Sequence, residues 1–492
     1  MPHQQSSYRQ IMKSTSIIGG VQVFQIFIRI IKSKFIAVFL GPEGMGIAGL
    51  LTSTIGLIGG LTNFGLETSV VKNVSEANVS GDKMRIAVII AVLKRWVWIT
   101  GILGSIVTII FSSWLSQITF GNTDYTISFI WISITLLFQQ LTSGQLAILQ
   151  GLRKIELLAK ANLIGSTLGL LIVVPVYYYL GIDGIVPAII ITAIISLLLS
   201  WYYSNKIETV PVKISKQTTI TEGENMLIMG FMISLSGLIT VGASYIVRLF
   251  ISKQGGVAEV GMYTAGFAII NTYVGLVFTA MGTDYYPRLS AVAHNNKECM
   301  WTINQQAEIA ILILAPIILG FLIFIKWIII ILYSNKFVAV EEMVHWAAMG
   351  MFFKATSWSI AFILLAKGAK RIFFINELIS NIYMLCLHLL GYYFLGLAGL
   401  GISFMIGYLF YLLQVYYLTK IRYHFRFDPT FIKLFAIQLS LAIGGFVVAK
   451  LINNPHSYFI GTVVILTSTY YSYKELDKRL DVKELFNKLL KK

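Results

Sequence analysis

Polar and apolar positions along this chain alternate in long blocks, not in twos. Apolar runs of about 18 residues or more, each enough for a membrane-spanning helix, fall near 14–38, 46–71, 88–112, 126–149, 155–179 and 184–204. A polar break carrying Lys206, Lys213, Lys216, Glu222 and Glu224 follows. A second series lies near 226–251, 261–283, 303–332, 343–366, 372–395 and 399–419, and two more runs lie near 430–451 and 457–473. The pattern predicts an all-α polytopic membrane protein with about 14 transmembrane helices. Strands of a β-barrel would alternate with period two, which these continuous runs do not.

Composition agrees. Of the 492 residues, 57% are hydrophobic and 12% charged, with a mean hydropathy of +0.77. An average soluble domain carries roughly 25% charged residues, so a soluble, disordered or disulfide-scaffold protein is excluded. The net charge of +16 is mostly topology. Placing the N-terminus inside puts 25 of the 38 basic residues in cytoplasmic connections and the tail, against three outside, Lys253, Lys336 and Lys450. This positive-inside bias puts both termini in the cytoplasm. The polar first 13 residues run into the first apolar segment without a small-residue cleavage site, so that segment is expected to stay as a span. Cys299 and Cys386 are too few for a redox framework or a metal cluster. The basic tail from Lys474 mixes acids and apolar residues and reads as an amphipathic segment on the anionic inner leaflet, with no nucleic-acid role.

The same punctuation occurs twice. Gly46-Ile47-Ala48-Gly49 and Gly261 to Gly266 open spans 2 and 8, 215 residues apart. Gly65-Leu66-Glu67 and Gly282-Thr283-Asp284 close them at an offset of 217, and Gly151-Leu152-Arg153-Lys154 pairs with Gly368-Ala369-Lys370-Arg371 at the same offset. Tyr177 to Gly184 resembles Tyr392 to Gly399 at 215, and Tyr202 to Ile207 resembles Tyr416 to Ile421 at 214. An even number of spans per unit predicts two six-helix lobes related by a pseudo-two-fold axis along the membrane normal, with the substrate site where the lobes meet. The expected division is an N-lobe at 1–207, a cytoplasmic linker at 208–225, a C-lobe at 226–421, two additional helices at 430–473 and the basic tail at 474–492.

Ten basic residues lie at or within spans, where a central charge costs roughly 2.5–3.5 kcal/mol on insertion scales. Lys94, Arg95, Lys326 and Lys433 are close enough to a span end to snorkel, and so is Lys34. On span 1, Gln22, Gln25, Arg29 and Lys32 recur at spacings of 3, 4 and 3, one polar stripe on a helix that faces a partner or a watery cavity. Span 7 carries Ser234, Ser244 and Arg248, and Lys354 lies near the middle of span 10. Arg29, Arg248 and Lys354 are therefore expected to line one basic cavity. For Lys354, a buried pair with Glu377 is an equal alternative. Asn63 and Asn271 on spans 2 and 8 suit hydrogen bonds to sugar or between helices. Glu67 and Asp284 stand at the inner mouth, where pairing with Lys72 and Arg288 would make a gate. Glu377 is the best-placed acid for proton or sodium coupling. No motif for catalysis, a cofactor or a metal is present.

The first 75 positions, with a basic first span, Phe39-Leu40-Gly41-Pro42-Glu43-Gly44-Met45-Gly46 and a Gly-rich second span, resemble the Wzx-type O-antigen and enterobacterial-common-antigen flippases. These form the polysaccharide transporter branch of the multidrug/oligosaccharidyl-lipid/polysaccharide exporter superfamily, and the resemblance covers roughly residues 10–421. It implies a multi-pass protein of the bacterial inner membrane that is not an enzyme. The implied activity is to move an undecaprenyl-diphosphate-linked oligosaccharide from the cytoplasmic to the periplasmic leaflet by alternating access. The implied partners are that lipid, the bilayer and polysaccharide polymerase machinery. Cavity cations of relatives hold the diphosphate, a role that maps onto Arg29 and Arg248; Lys32, Gln25, Lys354, Asn63 and Asn271 complete the expected cavity set on the reading of the residues. Many relatives have 12 spans, so the last two helices are a departure.

Two rival functions remain. A drug or cation antiporter of the same superfamily would place an acid centrally in span 1 or 2, where this chain has cations. A membrane-embedded polysaccharide ligase or polymerase would expose a large outer loop with Arg or His, and the longest outer connection, 113–125, has no basic residue.

Overall fold

The computed structural model describes residues 2–207 and 211–480, with side chains described except at 2–19, 273, 276, 279, 280, 283 and 480. Residues 208–210 of the expected linker and 481–492 of the basic tail lie outside the described residues, and so do the side chains of Arg9 and Lys13. The regular structure of the described chain is all helical, and the chain divides into two compact units, Met1–Gly261 and Met262–Lys492.

The first unit holds α1 (Pro2–Phe39), α2 (Gly41–Thr62), α3 (Leu66–Val79), α4 (Lys83–Ile110), α5 (Ser112–Phe120), α6 (Thr126–Gly151), α7 (Ile155–Leu180), α8 (Ile185–Ser204) and α9 (Lys216–Gly255). Helix α10 (Val257–Ala268) begins in this unit. The second unit continues with α11 (Leu276–Ala291), α12 (Asn296–Leu332), α13 (Glu341–Ala366), α14 (Lys370–Tyr423), α15 (Pro429–Leu451) and α16 (His456–Leu480). By length and composition, nine helical stretches among the described residues can cross a membrane. Two of them are double: Ile155–Ser204 and Lys370–Tyr423 have 50 and 54 residues. At about 1.5 Å per residue each would reach some 75–80 Å, more than twice the roughly 30 Å of hydrocarbon. The chain is a multi-pass membrane protein.

Both double stretches turn at a glycine. Gly181 has φ 56°, ψ −132°, and Gly396 has φ 58°, ψ −141°, a combination open in practice to glycine alone. They are 215 residues apart, as the Tyr-rich repeat requires. Positive φ also recurs at Gly41 and Gly256, and at Arg153 and Gly368, again 215 apart. The hydrogen bonds around the last pair repeat at the same offset: Lys154 N donates to Leu149 O at 2.8 Å, and Ala369 N to Leu364 O at 2.9 Å. The turn equivalent to Gly368 is therefore Arg153. Aligning Gly151 with Gly368 is two residues out of register, because the glycine identity is not what the turn conserves; the left-handed conformation is.

Other departures from the apolar pattern have local causes. Span 2 does not run unbroken to 71. It stops at Thr62, where the Asn63 carboxamide accepts from Gly65 N at 2.8 Å, a side chain competing with the helical ladder. Phe64 and Gly65 then take φ 49° and 63° before α3 starts. In the second unit, residues Ile269–Val274 of span 8 form a π-helix, a conformation found mostly as short bulges at functional sites.

Helix association in lipid depends on close packing and small residues. On α4, Cβ atoms at Gly101 and Gly104 would meet Leu137 Cδ1 at 2.9 Å and Thr62 Oγ1 at 2.8 Å, while Gly144 on α6 faces Val97 Cγ1 at 2.8 Å. Ser105 Oγ on α4 donates to Ser133 O on α6 at 2.8 Å. A neighbouring face of α4 exposes Trp98, Ile102, Ile106 and Ile109 at helical spacing, an apolar stripe fit for acyl chains. Exposed Tyr178–Tyr179, Trp201–Tyr202 and Tyr393–Phe394 stand at span ends, the usual place of interfacial aromatics.

The two additional helices dock on α12 of the second unit. Gly445 of α15 and Gly461 of α16 leave room for Leu319 and Ile323, and a buried amide–hydroxyl set joins the pair: Gln438 Nε2 donates to Ser472 Oγ at 2.8 Å and Ser468 Oγ to Gln438 Oε1 at 2.6 Å. Near this contact α12 bends at Phe324, whose ring stacks on Tyr458 of α16.

Candidate functional site

The polar stripe of span 1 opens into a cavity of about 300 Å³ within the first unit, bounded by α1, α6, α7 and α8. Gln25, Arg29 and Lys32 line it from α1; Gln22 does not. Opposite stand Asn162, Gly165, Ser166 and Gly169 of α7, Thr192, Ser196 and Ser200 of α8, and Thr142 of α6. Those spacings of three and four put each set on one helix face. Gly165 and Gly169 open the wall without being forced: a Cβ there would meet Leu199 at 3.6 Å and Thr192 at 3.5 Å, ordinary contacts.

None of the described residues that line it is acidic. Arg29 and Lys32 are one helical turn apart, their Cβ atoms some 5–6 Å from each other, and like charges so placed on a helix repel. A multivalent anion relieves that repulsion, and a monovalent cation increases it. The volume is at the lower end of the roughly 300–1,000 Å³ of ligand pockets.

The other expected site residues are distributed. Arg248 on α9 is not among those lining this cavity; its Nη1 turns back along its own helix to Ser244 O and Oγ at 3.2 and 2.5 Å. In the second unit Lys354 Nζ donates to Asn271 Oδ1 at 2.9 Å, in the π-helical segment, and lies 5.1 and 5.5 Å from the ring centroids of Tyr408 and Phe404. Sequence reasoning named both Lys354 and Asn271 without pairing them. Glu377 is engaged elsewhere: the Tyr411 hydroxyl donates to its Oε1 at 2.6 Å, Asn376 Nδ2 donates to the same oxygen at 3.4 Å, and Gln414 Nε2 donates to Asn376 Oδ1 at 2.8 Å. A Lys354–Glu377 pair is therefore not the arrangement found.

At the expected gate, Asp284 approaches Arg288 at 3.9 Å with its side chain 81% exposed, a solvated contact. Glu67 lies near Ser143, and Lys72 lies 3.9 Å from Glu76, not beside Glu67. Asn63 serves the turn before α3. The hydroxyl wall of α7 and α8 was missed because isolated serines and threonines are ordinary in membrane helices. Its signal was periodic: Thr192, Ser196 and Ser200 recur every fourth residue, as Asn162 and Ser166 do.

Comparison with known proteins places these features in a family context. The profile described as "Polysaccharide biosynthesis protein" matches residues 35–342. A lipid III flippase of Escherichia coli (strain K12) is 22% identical over 353 residues, covering 70% of this chain and 82% of the relative. A Shigella flexneri protein named as an O-antigen transporter is 25% identical over 293 residues, covering 58% of this chain and 68% of that one. Among solved structures, the lipid II flippase MurJ in an inward closed conformation superposes with a TM-score of 0.69 at 13% identity, covering 95% of this chain and 99% of MurJ. An inward-facing MATE family multidrug transporter gives the same score at 14% identity, covering 81% of this chain and 94% of its own. These likenesses establish the fold. The 95% coverage reaches into the two additional helices.

Proposed function

The chain belongs to the polysaccharide biosynthesis protein family, and from that premise we propose that it is a flippase for a lipid-linked oligosaccharide. The substrate in this reading is an undecaprenyl-diphosphate-linked O-antigen or similar surface polysaccharide repeat unit. It passes from the cytoplasmic to the periplasmic leaflet of the bacterial inner membrane by alternating access, with both termini of the protein cytoplasmic and polymerase machinery receiving the product.

The observation that carries this reading is the cationic face of α1 in a cavity with no carboxylate among its described lining residues. A diphosphate brings about two negative charges out of water and needs fixed, hydrogen-bonding cations. Arg29 offers a planar donor fork and Lys32 a second charge one turn away, with the Gln25 amide beside them. Arg248 and the Lys354–Asn271 pair supply later contacts as the headgroup moves, while the sugar keeps to polar surface and the prenyl chain stays in lipid. Glu377 in its tyrosine–amide network is the coupling acid, and Glu67 and Asp284 are gate residues. No bond is made or broken, so no catalytic group is required. A cation antiporter of the same fold would want an acid where Arg29 and Lys32 stand.

The test is a leaflet assay in a deletion strain. Lipid-linked repeat unit should accumulate on the cytoplasmic side, and the wild-type gene should restore its outward passage. Normal outward appearance and polymerisation in the deletion strain would refute the reading. Arg29→Ala in a normally expressed protein should reduce transport at least tenfold, the scale of one charge-assisted hydrogen bond pair.

A further inference from the structure

The wall facing Arg29 and Lys32 has a polarity of its own. Thr142 Oγ1 donates to Phe138 O at 2.8 Å, Ser166 Oγ to Asn162 O at 2.7 Å, Thr192 Oγ1 to Ala188 O at 2.7 Å and Ser196 Oγ to Thr192 O at 2.9 Å. Ser200 Oγ, at the buried end of the row, donates to Gln145 Oε1 at 2.5 Å. A hydroxyl has one proton and two lone pairs. In each of these the proton is committed within the protein, so what remains for an occupant is lone pairs. On the opposite face the two charged groups reverse this, since a guanidinium and an ammonium donate and cannot accept, while the Gln25 amide beside them can do both.

We propose that this cavity is a two-faced subsite that fixes the orientation of a glycosyl diphosphate, phosphate against α1 and sugar hydroxyls against α7 and α8. It deepens the flippase reading and rests on it. Phosphate oxygens at neutral pH only accept, so they find partners on Arg29 and Lys32 and meet repulsive lone pairs on Ser166, Thr192 and Ser196. Sugar hydroxyls donate, so that wall suits them. The half-buried Ser166, Thr192 and Ser196 are then specificity-determining residues: they select for a first sugar with free hydroxyls on the face turned to α7 and α8. Local back-bonding is a common habit of hydroxyls in helices; the inference rests on five such groups gathered on one cavity wall against two cations.

The test compares two probes on purified protein in lipid nanodiscs: a short prenyl diphosphate, and the same prenyl diphosphate carrying one glucose. Wild type should bind the glycosylated probe more tightly. The triple variant Ser166→Ala/Thr192→Val/Ser196→Ala should lose about tenfold or more for the glycosylated probe, the scale of two or three neutral hydrogen bonds, and nothing for the bare diphosphate. Arg29→Ala/Lys32→Ala should lose affinity for both. Thr192→Ser, which keeps the acceptor, should retain wild-type binding and controls for packing. Equal losses for both probes in the triple variant, or no loss for either, would overturn the two-faced subsite while leaving the flippase reading standing. Failure of wild type to bind the bare diphosphate would overturn both.

Discussion

Gly46 and Gly261, 215 residues apart, sit in each other's reciprocal place. A Cβ on Gly46 would lie 2.0 Å from Val257 O, and one on Gly261 would lie 1.9 Å from Pro42 O. Pro42 and Val257 are themselves 215 apart, so each repeat offers the other the same glycine and the same carbonyl. The contact brings the starts of α2 and α10 together backbone to backbone, within the first unit.

Neither glycine can accept a side chain without moving backbone. Gly46→Ala and Gly261→Ala should each destabilise by about 1–3 kcal/mol, the usual cost of overpacking, seen as a lower melting temperature in detergent. Gly56→Ala and Gly237→Ala are the controls, since a Cβ there meets nothing within 4 Å. They should be neutral or slightly stabilising by helix propensity. Equal behaviour of all four would dissociate the repeat from close packing.

How much of this was legible in the sequence depends on the physical range of each signal. Apolar runs needed for a bilayer are long and redundant, so the spans could be read directly. The repeat was legible at Gly46 and Gly261 because only glycine fits there, and at Gly181 and Gly396 because only glycine turns that way. It was misread at Gly368, where the equivalent position holds Arg153 with φ 55°, an arginine in a glycine's conformation. The stripe of Gln25, Arg29 and Lys32 was legible because charge in a span demands a reason. The hydroxyl wall facing it demanded none, and the pairing of Lys354 with Asn271 depends on a π-helical insertion that no residue pattern announces.

That pairing gives a separate expectation. Asn271→Ala would remove the amide partner of the Lys354 ammonium and leave it, among the described residues, the faces of Tyr408 and Phe404. Lys354→Met keeps the length and removes the charge. If the pair acts on substrate, both variants should lower transport at least fivefold while the melting temperature changes little. A double-mutant cycle should show coupling of about 0.5–3 kcal/mol, the range for residues in contact. Additive effects would mean the two act independently.

The ion pair between the starts of α4 and α9 predicts an acid limb to stability. Arg85 Nη1 and Nη2 donate to the two Glu222 carboxylate oxygens at 2.7 and 2.8 Å. The hydrogen bonds to Arg85 hold the Glu222 carboxyl below its ordinary value of 4.5. A carboxyl so held binds fewer protons folded than unfolded, and its contribution is full above that value. It is lost as the pH falls through the lower, folded value. With side chains 44% and 29% exposed, the effect is about 0.2–1 kcal/mol. Melting of wild type and Glu222→Gln should differ at pH 6 and converge towards pH 3; a constant difference would remove the pair as the cause.

A second charged cluster ties the last helix to α12. Arg479 Nε donates to Glu308 Oε2 at 2.7 Å, and its Nη1 donates to Glu475 Oε2 at 2.7 Å. The Glu308 side chain is only 12% exposed and Arg479 22%, so removing the guanidinium strands a carboxylate in a poorly hydrated place. Breaking a fully buried pair costs about 3–5 kcal/mol; with this residual exposure Arg479→Ala should cost about 2. Glu308→Gln, which leaves no stranded charge on α12, should cost less. Hydrogen exchange is the measurement that locates the loss. Faster exchange in α16 and around the bend at Phe324, with the first unit unchanged, would mean that the additional helices brace α12. Uniform acceleration across both units would mean that the cluster supports the whole molecule instead.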